Sequence, residues 1–483
     1  MNKKQIKTPL IDRLQILAKR QETAFYVPGH KKGKGINKKL AELMGSQVFC
    51  ADLPELPELD NLFAPEGVIK EAQDLASEAF GAEKTWFLAN GSTSGIIASI
   101  LAICGEGDRL ILPRNVHQSA IFGLVLSGAT PIFIEPEYNP DFDLCHSLSA
   151  SQIRQALANN EGIKGILLVS PTYHGVCADL PEIIKIAHEY NLPVIVDEAH
   201  GGHFPFHPQL PLSALEAGAD VVIQSTHKVL GAMTQASMLH LQGNLVSSQR
   251  ISQALQMVQS SSPNYLLLSS LDGARQQMAI EGKALLDKTL TLAMTARKEL
   301  AKLDYLSIFD LKHRSSSFVD LDSTRLTVNV SKLGISGYEA DEILNEQLGV
   351  TCELPSLQNL TFIISIGNTE DDIHALVKAF QQLKHFAQSS PSYHFSLPPL
   401  PSSIVKLTPR QAFWAEKTVV STDLAVNQIS GETICPYPPG IPLIMAGEVI
   451  TSEALNYLKK IIDLGGTVTG VSNENLDSLQ IIA

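Results

Sequence analysis

The chain has 483 residues, 44% of them hydrophobic and 18% charged, with a formal net charge of −13. At about 150 residues per domain this length predicts two or three domains with a large buried core, and the composition is that of a globular chain. The acidic balance excludes a protein whose main partner is nucleic acid, because such a surface must displace counterions from phosphates; its weak, salt-screened pull is on cationic small molecules.

In chain order, the first 45 residues are basic, from Lys3 and Lys4 to Lys38 and Lys39, against only Asp12, Glu22 and Glu42. Such a run is a solvated face, yet Pro28, Gly29, Gly33 and Gly35 break it into a turn-rich loop that equally suits an arm packed on another part of the molecule. From about Lys84 to His240, short apolar runs alternate with turns and amphipathic stretches: Thr85 to Ala89, Leu110 to Leu112, Pro131 to Glu135, Gly165 to Val169, Val194 to Val196 and Val221 to Ile223. This pattern predicts an α/β fold with a mostly parallel sheet and helices on both faces. Pro181 opens one helix, with Ile183, Ile184 and Ala187 as its buried stripe. Residues 241 to 305 read as mainly helical, and strand-like segments return at Leu326 to Val330 and Thr361 to Ile366. The stretch SSPSYHFSLPPLPSS reads as a linker. The expected division is an N-terminal arm (1–50), a large domain (51–305), a smaller α/β domain (306–386), a linker (387–407) and a C-terminal domain (408–483). The cysteines at 50, 104, 145, 177, 352 and 435 form no CxxC pair and no close Cys/His cluster, so no metal site is expected and the thiols read as reduced. The most apolar run, Ile96 to Cys104, is too short to span a bilayer, and the Lys-rich start is not followed by a signal-peptide core. A cytoplasmic protein with no membrane partner is expected.

The chemistry concentrates in VIVDEAHGGH (194–203) and DVVIQSTHK (220–228). An acidic residue at the end of one parallel strand and a lysine just past the end of a later one both face the crevice where α/β sheets bind ligands. Pyridoxal 5′-phosphate (PLP) requires such a pair: a lysine amine for its aldehyde, and a carboxylate that keeps its pyridine nitrogen protonated so the ring can accept electrons. Lys228 and Asp197 suit the two roles. The phosphate needs hydroxyls and free amides at a helix N-terminus, which LANGSTSGIIASI (88–100) supplies through Ser92, Thr93 and Ser94; Ser225 and His227 could complete the cup. Taken alone, Asn-Gly-Ser-Thr-Ser is a helix cap. In PRNVHQS (113–119), His117 is placed to lie over a pyridine ring, or simply to cap a helix. His200, in the same segment as the aspartate, is counted with the cofactor-binding residues.

With these residues in order, the chain resembles the ornithine/lysine/arginine decarboxylases, which are fold-type I PLP enzymes. The resemblance covers nearly the whole length: FYVPGHKKGKG (25–35), ELDNLFAPEGVIKEAQDLASEAFGA (58–82), NGSTSG, RNVHQSAIFGLVLSGATPIFI (114–134), SPTYHGV (170–176), DEAHGGH, GADVVIQSTHK and CPYPPGIPLIMAGE (435–448). It implies Lys228 as the Schiff-base lysine, Asp197 as the pyridinium partner and His117 as the stacking residue, with Ser92, Thr93, Ser225 and His227 around the phosphate. It further implies that Ser260 or Ser261, in QSSSPNY, reaches the phosphate of a neighbouring subunit, which makes the active unit a homodimer or a dimer of dimers. Glu353, in GVTCELPSLQNL, falls where the family places a glutamate that meets the distal cation of the substrate, a job suited to a buried carboxylate. The chain departs from the common RNxHKS at Gln118. It matches the shorter form, without the wing domain of the large inducible members, and shares the AHG segment of the biosynthetic arginine decarboxylases; wing-held decamers are not expected. The implied reaction is decarboxylation of arginine, then lysine, then ornithine in order of expectation. The rivals are a PLP aminotransferase, for which Arg325 is a candidate grip on the α-carboxylate although a structural role is the favoured reading of it, or a lyase on the same fold, and a catalytically silent relative that binds PLP or polyamines.

Overall fold

The computed structural model describes residues 3–386, 404–437, 441–473 and 475–483, so residues 387–403 of the expected linker lie outside the described residues. The chain divides into two compact units, Met1–Ala102 with Ile195–Leu286, and Ile103–Val194 with Asp287–Ala483.

In the first unit, the strands follow the order Lys84–Leu88, Ser237–Leu241, Val221–Gln224, Val194–Asp197. Ser237–Leu241 is antiparallel to both of its neighbours, while Val221–Gln224 and Val194–Asp197 run parallel. Val221–Gln224 and Ser237–Leu241 are buried at every position, the state of a strand covered on both faces. The apolar run at 221–223 announced the first of these. The strand at 237–241 was not expected, because Ser237 and His240 interrupt its apolar pattern. His240 is accommodated by a hydrogen bond to Thr85 Oγ1 at 2.8 Å and by stacking on Phe80.

The basic N-terminus is a packed arm. Its helix Pro9–Lys19 buries Leu10, Leu14 and Leu17 and turns its charges outward, the i, i+4, i+7 face of an amphipathic helix. Arg275 and Asp272, both fully buried in the helix Tyr265–Leu300, receive it. Arg275 donates to the carbonyls of Gln5 at 2.8 Å and Lys7 at 2.7 Å, and Asp272 accepts from the Leu10 amide at 3.0 Å.

In the second unit, Arg109–Pro113 lies between Thr130–Ile134 and Ile163–Val169, all parallel. The helix Leu180–Glu189 starts where Asp179 caps it and Pro181 fixes its first turn, and it buries Ile183, Ile184 and Ala187 as its spacing predicts. An antiparallel sheet of order Ser307–Ile308, Arg325–Asn329, Asn359–Ile363, Leu354–Pro355 follows. Its core of Leu326, Val328, Leu360 and Phe380 is shared with the helices Gly337–Gln347 and Glu370–Leu383. The C-terminal segment has a core of its own, centred on Ile434, Ile450, Leu458 and Leu479.

Arg275→Ala leaves the Asp272 carboxylate buried without its guanidinium, a change expected to cost about 3 kcal/mol in urea unfolding. A cost under about 1 kcal/mol would mean that the arm does not depend on this pair.

Candidate active site

Lys228 sits on a single helical turn, Thr226–Val229, directly after the strand Val221–Gln224. On the parallel neighbour, Asp197 lies opposite Ile223, and the Glu198 amide donates to the Ile223 carbonyl at 2.9 Å. Aspartate and lysine thus leave the carboxyl ends of adjacent parallel strands, the rim where open α/β sheets bind ligands. Asp197 Oδ1 accepts from the Ala199 amide at 3.1 Å, which tightens the turn into His200. His200 is buried, with its Nε2 3.0 Å from Lys228 Nζ. Against a protonated lysine that nitrogen must accept, so the imidazole is neutral there. His227 is held below the ordinary imidazole range, first by burial and then by the charge of Lys228.

The strand Lys84–Leu88 ends in a turn at Ala89 and Asn90, and the helix Gly91–Ile103 begins at once. Gly91 has φ +74°, a left-handed conformation that glycine adopts without strain. The turn is pinned on both sides: the Ala89 amide donates to Gln259 Oε1 at 2.7 Å, and Gln235 Nε2 donates to the Ala89 carbonyl. A Cβ at Gly95 would lie 2.7 Å from Leu88 Cδ1 and 3.0 Å from Ile223 Cγ2, so the glycine lets the helix start lie close against the two strands. Ser94 is buried, and its hydroxyl donates back to the Gly91 carbonyl at 2.7 Å within the first helical turn. Ser92 and Thr93 are half-buried at the helix start, and Ser225 Oγ donates to Ser92 Oγ at 2.8 Å. Thr226 Oγ1, beside them in sequence, is buried with no partner among the described residues. An amine, a carboxylate on the next strand and a hydroxyl-lined helix N-terminus form a donor set that fits PLP.

The remaining expected residues are placed as follows. Ser260 and Ser261 are exposed, and the Ser260 amide donates to Asn90 Oδ1 of the same chain at 3.2 Å. In the second unit, His117 is half-buried and caps the helix Gln118–Ser127, its Nδ1 accepting from the Ser119 amide at 3.2 Å. Glu353 is exposed rather than buried, with its amide paired to the Thr361 carbonyl at 3.0 Å, and its charge acts on the buried Arg325.

Sequence reasoning missed a buried polar chain behind the strand ends. Glu198 accepts from the Ala214 amide at 2.7 Å and from Gln224 Nε2 at 2.7 Å; Gln224 Oε1 meets His240 Nε2 at 3.2 Å, and His240 meets Thr85. The available signal was a polar residue within, or directly after, each of these otherwise apolar strands. Gln235 and Gln259 were missed as well, and nothing local in the sequence marks them.

The solved lysine decarboxylase of Francisella novicida matches with a TM-score of 0.87 at 22% identity, over 99% of this chain and 82% of that one. The constitutive lysine decarboxylase of Escherichia coli matches with 0.83 at 21%, again over 99% and 82%. The fold is that of the fold-type I PLP enzymes, with a smaller domain and a C-terminal domain added. At the level of sequence, residues 8–323 match the Orn/Lys/Arg decarboxylase major domain and residues 402–475 the C-terminal domain of the same family. The arginine decarboxylase of Bacillus subtilis (strain 168) is 39% identical over 483 residues, 99% of this chain and 98% of that protein. The arginine decarboxylase of Bacillus anthracis is 38% identical over 484 residues, with the same coverage. The chain belongs to the Orn/Lys/Arg decarboxylase family.

The buried chain gives the first unit a pH signature. Burial pushes the Glu198 carboxyl up to about 8 from 4.5, against the lowering by its bonds from Gln224 and Ala214. A group raised in the folded state stabilises it fully below the unfolded value and loses that contribution as pH rises through the folded one. His240, lowered by burial to about 3, and His174, lowered to about 4, run the opposite way, but above 6.5 both are mostly neutral folded or unfolded. Between pH 6.5 and 8 the Glu198 contribution to the unfolding free energy is expected to fall by about 1 kcal/mol per pH unit, steepest at the lower end. Glu198→Gln should remove that slope in urea unfolding measured across the window; equal slopes in the two proteins would contradict the assignment.

Proposed function

We propose that the protein decarboxylates a basic L-amino acid with PLP as cofactor, arginine first, lysine second and ornithine third, releasing carbon dioxide and agmatine, cadaverine or putrescine for polyamine metabolism. The observation that carries this reading is Lys228 and Asp197 at the ends of adjacent parallel strands with a hydroxyl-lined helix N-terminus, in a chain 39% identical to an arginine decarboxylase over nearly its whole length.

When bound, PLP supplies an electron sink for the pair released as the bond from Cα to the carboxylate breaks. Lys228 Nζ would hold the cofactor covalently. His200 Nε2, 3.0 Å away, is in reach to take a proton from that ammonium and leave a nucleophilic amine. Asp197 would keep the proton on the pyridine nitrogen. Ser92, Thr93, Ser225 and the first amides of the helix Gly91–Ile103 would bind the phosphate, with His227 beside them. For His117, assigned to the ring face, and for Glu353, assigned to the distal cation, the support is family resemblance. The exposure of Ser260 and Ser261 leaves them available to a second subunit, and exposed Phe25, Val27 and Leu43 on the N-terminal arm favour association into a homodimer or dimer of dimers. A cytoplasmic location agrees with cysteines that form no disulfide among the described residues. The core around Leu326 and Phe380 takes in Leu292, Ala296 and Leu300 from before residue 306, while 408–483 has a separate core that supports the C-terminal domain expected from sequence. Arg325, the residue on which an aminotransferase reading would lean, is fully buried next to an equally buried Asp322, their nearest charged atoms 3.9 Å apart.

The test is to incubate the purified holoenzyme separately with arginine, lysine and ornithine and to identify the products. Agmatine is expected to dominate; a keto acid in place of an amine would overturn the reading. Lys228→Ala should lose both turnover and the visible absorbance of the bound cofactor, and an active, yellow Lys228→Ala protein would remove the lysine from its role.

A further inference from the structure

Two long motifs, RNVHQS at 114–119 and CPYPPGIPLIMAGE at 435–448, contain charged residues to which the reaction gives no task. The structure joins them. Arg114 and Glu448 form a buried ion pair at 2.8 Å, with side chains 9% and 3% exposed. Arg114 also donates to the carbonyls of Pro442 at 2.7 Å and Leu443 at 3.1 Å, and Glu448 holds the Met445 amide at 2.8 Å. Arg114 lies three residues before His117, in the loop that enters the helix Gln118–Ser127.

The other end of that helix is held from the same domain. Arg410 Nε donates to the Val125 carbonyl at 2.8 Å and a second nitrogen donates to the Leu126 carbonyl, while Nη1 pairs with Glu106 at 3.3 Å. A guanidinium on the last carbonyls of a helix satisfies groups with no intrahelical partner and complements the negative end of its dipole. The C-cap Gly128 has φ +76°, and a Cβ there would come within 2.6 Å of Arg410 Nη1, so the glycine also makes room for the clamp.

We propose that the C-terminal domain is a clamp on the helix Gln118–Ser127, and that Arg114, Glu448 and Arg410 are positioning residues which fix where His117 points. Apolar contacts of equal volume would hold the domain in place as firmly, since a buried ion pair seldom adds net stability over packed hydrophobic residues. The guanidinium forks add direction: one grips the backbone before the helix and one the backbone at its end, which leaves a helix of ten residues no freedom to rotate or slide. His117 caps the helix through its own ring, so its orientation follows that of the helix.

The inference rests on the reading of His117 as the residue over the cofactor ring, and the test separates the two. The cofactor dissociation constant of the full-length holoenzyme, followed by absorbance and circular dichroism of the bound cofactor, is measured in a double-mutant cycle of Glu448→Gln and His117→Ala. Glu448→Gln is expected to weaken cofactor binding about tenfold in the natural background and less than about twofold when His117 is already alanine, the non-additivity of residues that act through one another. Losses that multiply in the double variant overturn the clamp and leave the reading of His117 standing. A His117→Ala protein with unchanged cofactor spectrum and affinity overturns that reading and the clamp with it. If Glu448→Gln does not fold, Arg410→Ala carries the same cycle, because its side chain is 30% exposed and its loss strands no buried charge. Arg410→Lys, which keeps the charge without the fork, should restore only part of the affinity, and full restoration would overturn the directional role.

Discussion

The pairing of two short parallel strands, Val194–Asp197 and Val221–Gln224, is the constraint on which the proposed chemistry depends. With Asp197 opposite Ile223, the chain that leaves the second strand has only the turn Thr226–Val229 in which to place its lysine. A carboxylate and an amine are thereby presented from one rim by backbone hydrogen bonds and not by flexible loops. Both strands are packed on apolar residues, so a shift of register by one residue would turn every side chain to the opposite face.

Around this pair the structure invests buried polar groups where rigidity is needed. The Glu198–Gln224–His240–Thr85 chain ties four strands of the first unit together through side chains, in addition to their ladders. Every member is at most 2% exposed, so each donor must keep its partner. The glycine turn before the helix Gly91–Ile103 is fixed in the same way by Gln235 and Gln259. In the second unit, the Arg114–Glu448 pair and Arg410 apply charged anchors to a single helix. These groups bond to backbone and to one another at helix starts and strand ends, the places from which the proposed site presents its side chains.

Much of this was legible in the sequence, for physical reasons. The strands were announced by apolar runs because a sheet covered on both faces must be apolar on both. The helix Leu180–Glu189 was announced by Pro181 and the spacing of Ile183, Ile184 and Ala187, and the positions of Asp197 and Lys228, at the end of one strand and just past another, by the apolar runs before them. What stayed hidden depended on distant partners or on which way a side chain faces. Leu10, Leu14 and Leu17 were masked by the lysines around them. The strand Ser237–Leu241 was masked by His240, whose burial rests on Thr85, 155 residues away in sequence. The Arg114–Glu448 pair spans 334 residues, a distance over which no local pattern speaks. Glu353 is exposed, and its position in the chain alone does not tell which way its carboxylate faces.

The account depends on a covalent link between Lys228 and the cofactor. Borohydride reduction of the PLP-loaded enzyme, followed by proteolysis and mass spectrometry, makes that link permanent and locates it. The account predicts a pyridoxyl group on the peptide that contains Lys228, and none anywhere in a Lys228→Ala protein treated in the same way. A label on another lysine, or the same yield of label without Lys228, would contradict it.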